Sequence, residues 1–306
     1  MQKYLYTFRL HHEDHALYKL EQKYIFGKPD FEERSFLSDS LIPMEDSSFG
    51  EVILEVMAFS KELAEMRDQL ETFPAFEDAK LNSLSLGHLP KCSFHDCMKI
   101  LPHLKFYANL KNPSSIYYLT RNNDGWYFGR QVSKSNKLWS RHKKKKQTMS
   151  SAIPHILART LVAALKYSGH ESMIDYCCGS GTFLLEACSM NMKCSGIDIN
   201  QNMIDMSAEN LKEFNYNADL ICADSAKTEL KADSGIVDFP YGFHCTRDEE
   251  IEKQIIENVM KHVKTAVFIC GSKSENLFSE YRIIEQLTIP AVNVTRHIYF
   301  CQKKHD

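Results

Sequence analysis

Residues 173–183, Met-Ile-Asp-Tyr-Cys-Cys-Gly-Ser-Gly-Thr-Phe, run from an apolar strand through Asp175 into a turn with glycines at 179 and 181 that opens a helix. Glycines there let backbone approach a bound molecule closely, and in a parallel sheet such a turn lies at the carboxyl edge, near the switch point where ligands bind. A dinucleotide-binding turn would carry a further glycine three residues after Gly181, but position 184 is leucine, which disfavours a pyrophosphate. Taken alone, the turn is also what any tight strand-to-helix junction needs. The later acids add to it. Asp198 ends the next apolar run 19 residues after Gly179, where a carboxylate accepts both ribose hydroxyls. Asp224-Ser225 follows the run Leu220 to Ala223 and offers a side-chain acceptor to an adenine amino group. Three successive strands ending in acids describe a pocket for an adenosyl group without a diphosphate.

The fourth strand ends in Asp238-Phe239-Pro240-Tyr241. An exocyclic amine conjugated to a base is a poor nucleophile, because its lone pair is delocalised. Two acceptors on its two N–H bonds would free that pair, and the Asp238 carboxylate with the Phe239 carbonyl supplies them. Tyr241 can stack on the base. A sulfonium methyl is the matching electrophile, and a carboxylate can stabilise the positive charge that the nitrogen acquires.

The elements that must position these residues read as follows. From Met173 onward, short strands alternate with helices over 182–190, 201–214 and 248–263, a rhythm that predicts a mostly parallel sheet with right-handed crossovers. Tyr281–Thr288 and Val292–Cys301 read as a closing antiparallel hairpin. A helix is expected from Ser150 to about Tyr167, capped by Ser with Pro154 in its first turn. Upstream, the sequence predicts a strand at Lys3–Leu10 and a helix at His15–Phe26. A strand at Glu51–Phe59 follows, then a helix over 61–73 capped by Ser60, and a hairpin of Ile116–Leu119 and Trp126–Gln131 around Asn122-Asn123-Asp124-Gly125. The expected domains are an α+β unit over 1–146 and an α/β unit over 147–306.

Charge divides the chain in the same place. The net charge is −3, made of +3 over residues 1–150 and −6 over 151–306. Residues 102–146 hold eleven Lys or Arg and one acid, Asp124, a local footprint able to neutralise several phosphates. Its candidate RNA contacts are Arg130, Lys134, Lys137, Arg141, Lys143, Lys144, Lys145 and Lys146, with Trp139 for stacking. The competing reading is a solvated charge run. The ten cysteines are scattered through apolar runs and read as reduced buried thiols. Cys92 and Cys97, with His95 between them, lack a second pair of ligands, so no metal site is expected. The amino terminus has no apolar targeting core and no apolar run nears bilayer length. The expectation is a cytoplasmic protein with no membrane partner.

Asp175 to Thr182, together with Asp238-Phe-Pro-Tyr-Gly, resembles the class I methyltransferases that modify exocyclic amines. More narrowly, these motifs with Lys111-Asn112-Pro113, Trp126-Tyr-Phe-Gly129 and the 150–161 segment resemble the THUMP-associated tRNA guanosine-N2 methyltransferases, in a short bacterial form. The resemblance implies a Rossmann-like class I methyltransferase fold preceded by a smaller ferredoxin-like or reduced THUMP-like α+β domain. It implies S-adenosyl-L-methionine as cofactor, held by Asp175, Cys178, Gly179, Gly181, Thr182, Asp198, Ile199, Asp224 and Ser225. Asp238, Phe239, Pro240 and Tyr241 would be catalytic, and the substrate would be guanosine N2 at position ten of tRNA. The family usually has proline where Phe239 stands. Two other readings stay open: the same chemistry on ribosomal RNA, DNA or a protein amide, and a non-catalytic RNA-binding module with a vestigial fold. Whether an activating partner is needed is also left open.

Overall fold

The computed structural model describes residues 2–10, 14–86, 91–148, 153–240, 248–290 and 295–304. Contacts divide the chain into a first unit, Met1–Tyr18 with Asp30–Asn136, and a second, Lys19–Pro29 with Lys137–Asp306.

The first unit contains β1 (Tyr4–Phe8), the start of α1 (His15–Phe26), β2 (Ser35–Ser38), β3 (Gly50–Ser60), α2 (Leu63–Leu70), β4 (Phe76–Ser85), α3 (Phe94–Ile100), β5 (Phe106–Ala108), β6 (Ser115–Arg121) and β7 (Trp126–Lys134). Its seven strands form one sheet in the order β2-β1-β3-β7-β6-β4-β5. The expected hairpin is β6 and β7, closed where the Asn122 N–H donates to the Gly125 carbonyl at 3.0 Å. Ser60 is not a helix cap: β3 runs through it to pair with Trp126, and its hydroxyl donates to the carbonyl of Glu62, the actual N-cap residue. Cys92 and Cys97 are buried in the core under this sheet, and burial pushes both thiols up to about 12, which keeps them protonated.

The second unit contains α4 (Leu138–His142), α5 (His155–Tyr167), β8 (Ser172–Asp175), α6 (Thr182–Ser189), β9 (Lys193–Asp198), α7 (Gln201–Glu213), β10 (Asp219–Cys222), β11 (Ser234–Asp238), α8 (Glu249–His262), β12 (Thr265–Cys270), β13 (Tyr281–Ile289) and β14 (Arg296–Lys303). Strand order is β10-β9-β8-β11-β12-β14-β13. The first five are parallel, and β14 runs antiparallel to both β12 and β13. The order reverses between β8 and β11, the switch point of such a sheet. Glycine at 196 lets α6 approach β9 closely: a Cβ there would stand 2.6 Å from Leu184 Cδ1 and 3.1 Å from Cys178 Sγ.

Three expectations need correction in this unit. It begins at Lys137, ten residues before 147, because α4 and the lysine run fold onto α6. It also takes in residues 19–29, where Tyr24 stacks on Phe300 and Lys23 pairs with Glu285. Helix α5 starts at His155 with Pro154 at its N-cap, and Ser150 and Ser151 lie outside the described residues. Cys222 is exposed, since β10 is an edge strand. Among the described residues no helix is long and apolar enough to cross a membrane.

α4, α5 and α6 meet on one buried carboxylate. Glu186 Oε1 lies 2.8 Å from His142 Nδ1 and 3.1 Å from His155 Nδ1, while Oε2 accepts from Arg159 Nη1 at 3.0 Å. The three polar groups bring their ligand atoms within 4.8 Å of one another. With the Arg159 guanidinium on the carboxylate, the set is a hydrogen-bonded ion cluster. Its imidazoles and cation outweigh the burial cost and hold the Glu186 carboxyl down to about 2 from 4.5. A depressed carboxyl stabilises the fold fully above its ordinary value, and the contribution fades as pH falls from 4.5 toward 2, a loss on the order of 3 kcal/mol. Glu186→Gln leaves the buried guanidinium without this carboxylate, so urea unfolding at pH 7 should show a loss of about 3–5 kcal/mol and a flatter acid limb. An unchanged midpoint would remove the cluster from the fold's supports.

Candidate active site

Because β10, β9, β8 and β11 are parallel, their carboxyl ends share one edge of the sheet, and each delivers an acid there. Asp198, Asp175 and Asp238 end β9, β8 and β11, and Asp224 stands two residues beyond β10. A cavity of about 480 Å³ opens at this edge, with Asp198, Asp224 and Asp238 in its wall. The volume suits a small-molecule site. Ile153, Met203, Ile251 and Ile255 supply apolar surface.

The turn from β8 into α6 sets the floor. Gly179 and Gly181 have φ of +50° and +77°, a left-handed region that side chains disfavour. A Cβ at Gly181 would also stand 2.9 Å from Ser207 Oγ. This path aims the Gly179 N–H at Asp198 Oδ2, 2.9 Å away, while Asp198 Oδ1 accepts from the Asn200 N–H at 2.9 Å. Both carboxylate oxygens are fixed by backbone and keep further lone pairs for a ligand.

Asp224 is held by the Ala226 N–H and by Lys227, each at 2.9 Å, and these two contacts lower its pKa. The Ser225 hydroxyl donates to the Tyr176 carbonyl, so only its acceptor capacity remains for a ligand. Ile199, beside Asp198, is 75% exposed at the cavity mouth and is free to lie against a flat ring. Thr182 and Cys178 also line the wall.

Asp175 does not reach the cavity. It is fully buried, Oδ1 accepts from the Cys177 N–H at 3.4 Å, and Oδ2 has no partner among the described residues. Burial, reinforced by the neighbouring Asp238 and Asp198, pushes its carboxyl well above the usual range.

Asp238 is half-buried in the wall. The Phe239 ring is buried, stacked on Phe268 at 6.1 Å and 11°, and its N–H donates to the Ile269 carbonyl at 3.1 Å. Strand pairing therefore continues one residue past β11. Pro240 is exposed in the cavity wall, and Tyr241 lies outside the described residues. Ile251 and Ile255 escaped the sequence reading, although their spacing of four on a helix following the Asp-Phe-Pro-Tyr segment marks one face aimed at the site.

The candidate basic residues are divided between the two units. Arg130, on β7 of the first unit, is engaged by Glu55 through Nε at 2.9 Å and Nη2 at 2.6 Å. In the second unit Arg141, Lys143, Lys144 and Lys146 are exposed, and the Lys143 ammonium sits 4.7 Å from the centre of the Trp139 ring. Lys145 must be withdrawn as a phosphate contact. It is 4% exposed, with Nζ turned inward onto Ser180 and Thr182. His142 is likewise buried and was missed.

Residues 141–297, just over half of the chain, match the family described as RMKL-like, methyltransferase domain. A tRNA (guanine(10)-N2)-dimethyltransferase of Methanothermobacter thermautotrophicus is 26% identical over 140 residues, covering 44% of this chain and 42% of that protein. A protein of Methanothermococcus thermolithotrophicus named "Probable tRNA (guanine(10)-N2)-dimethyltransferase" is 26% identical over 159 residues, 48% of this chain and 98% of its own length. The chain thus spans less than half of the first relative and nearly all of the second. Among solved structures, TrmN from Thermus thermophilus aligns with a TM-score of 0.53 at 12% identity, over 99% of this chain and 100% of that one. A "possible methylase" from Clostridium difficile 630 gives 0.51 at 14% identity, over 100% and 99%. These likenesses show the fold, which is the expected Rossmann-like class I arrangement. With the family matched over more than half its length, the chain belongs to the RMKL-like methyltransferase-domain family.

Proposed function

We propose that the cavity binds S-adenosyl-L-methionine and that the domain methylates the exocyclic N2 amine of guanosine in tRNA. The observation that carries this reading is the set of acids on one sheet edge, with Asp238 and the strand-anchored Phe239 in the wall of the same cavity as Asp198 and Asp224. The cavity's own chemistry fits the cofactor. Backbone-fixed Asp198 suits a ribose diol, Ile199 an adenine face, Asp224 the adenine amino group, and the glycine turn with Cys178 and Thr182 the methionine portion.

Bound there, S-adenosyl-L-methionine supplies an electrophilic methyl. Asp238 and the Phe239 carbonyl accept the two N–H bonds of the amine and draw its lone pair out of conjugation with the base. The Asp238 carboxylate stabilises the positive charge on the nitrogen and takes its proton. The names of the relatives support guanosine at position ten of tRNA as the target and so a cytoplasmic site of action. The first unit, with its α+β sheet, is the candidate THUMP-like RNA-binding domain.

Mass spectrometry of nucleosides from tRNA and ribosomal RNA of cells lacking the protein tests the reading. Loss of N2-methylated guanosine from tRNA is expected; loss from ribosomal RNA alone overturns the tRNA assignment. Asp238→Ala should leave cofactor affinity within about twofold while lowering kcat at least a hundredfold, since its partner is the amine. Turnover at the wild-type rate in that variant would sink the mechanism. Reversing the two exposed charges, Lys143→Glu with Lys144→Glu, should weaken tRNA binding and reduce its log-salt slope by about two. An unaltered slope would return these lysines to a solvated face.

A further inference from the structure

The ammonium of Lys145 lies against the back of the glycine turn. Nζ donates to Thr182 Oγ1 at 2.6 Å, to Ser180 Oγ at 2.9 Å and to the Ser180 carbonyl at 3.4 Å. An ammonium has three protons, so the side chain is committed to this turn. Ser180 and Thr182 line the cavity, and Lys145 is not among its lining residues. Lys145 therefore holds two wall residues without itself lining the cavity.

The chain around it is stitched to the same elements. His142 meets Glu186 on α6, and the Gln147 N–H donates to Asn210 Oδ1 at 2.9 Å. Asn210 Nδ2 returns bonds to the Gln147 carbonyl and the Ser180 carbonyl, both at 2.9 Å. Residues 142–147 form a strap with Lys145 as its one inward cation. A fastening that served packing alone would not need a charge, because burying an ammonium is costly and an apolar side chain would fill the space.

We propose that Lys145 is a positioning residue of the cofactor site, holding Ser180 and Thr182, and with them the 179–182 turn, in the conformation that receives the cofactor. The inference rests on the reading of the cavity as an S-adenosyl-L-methionine site. The carboxyl groups facing Lys145 are those of Glu186 on α6 and Asp175 on β8; both draw its pKa upward, but burial prevails and lowers it to about 8. A raised pH therefore removes one of three donors, and the grip on the turn loosens.

The test uses the full chain and calorimetry with S-adenosylmethionine and S-adenosylhomocysteine between pH 6.5 and 9, alongside tRNA kinetics. Wild type should bind more weakly as pH rises through about 8. Lys145→Met should weaken binding tenfold or more and abolish that decline, while kcat at saturating cofactor changes less than threefold. Lys145→Gln keeps a polar donor in the same space and removes the titrating charge, so it reports even where Lys145→Met fails to fold. It should weaken binding at least threefold and show no decline as pH rises through about 8. A lowered unfolding midpoint with wild-type affinity and pH profile in these variants overturns the proposal and leaves Lys145 as packing. Absence of cofactor binding by wild type overturns the reading of the cavity itself, and the proposal with it.

Discussion

The Gly179 N–H donating to Asp198 at 2.9 Å joins the first βα turn to the end of the neighbouring strand, and the cavity takes its form from that contact. The N–H points there only because the turn passes through left-handed backbone at 179 and 181. Helix α6 then starts close to the sheet, which is possible because position 196 beneath it has no side chain. Two steric allowances and one hydrogen bond fix where the carboxylate of β9 stands relative to the amino end of α6. The apolar walls from α8 complete a site whose polar floor is already set.

Acids gathered on one sheet edge repel one another, and three of the four are relieved in different ways. Asp198 takes two backbone N–H bonds, Asp224 takes Lys227 and a backbone N–H, and Asp175 is driven toward its uncharged form by burial. The same field acts on the thiols. Burial and the surrounding carboxylates push Cys177 well above the ordinary thiol value, and Cys178 is raised likewise. Both line the cavity as protonated thiols. A thiol is a far weaker nucleophile than a thiolate, so the acids that shape the pocket also suppress side reactions with an electrophile held in it.

The alternation of strands and helices from 172 to 270 was legible because each parallel strand is a short apolar run closed by an acid or glycine, and α1 fell on the predicted residues. β4 was not legible. Its residues, Phe-Glu-Asp-Ala-Lys-Leu-Asn-Ser-Leu-Ser, break the two-residue alternation because pairing with β5 slips between Phe76 and Ala79. α3 was passed over for its cysteines, although Ser93 and Asp96 form a capping box that announces a helix. Within the site, the acids and glycines were readable from spacing. The strap was not: six consecutive basic residues look alike, and only packing distinguishes His142 and Lys145. They are three apart, the spacing of one helical face, but charge hid the pattern.

Phe239 shows how a departure from a family motif can keep its geometry by other means. Proline would fix φ through its ring but carries no N–H. Here the Phe239 N–H donates to Ile269 and the ring is clamped on Phe268, within an aromatic chain that continues through Phe278 to Tyr299. The backbone is held by a ladder bond and by core packing in place of a covalent ring. What the proposed chemistry would use of this residue is its carbonyl, and the carbonyl direction follows from φ and ψ however they are restrained. A hydrogen-bonded phenylalanine ties that direction to β12, so the acceptor moves with the sheet that also carries Asp238. The substitution moves the restraint from the residue itself to its neighbours, so the carbonyl direction changes only as far as those neighbours yield.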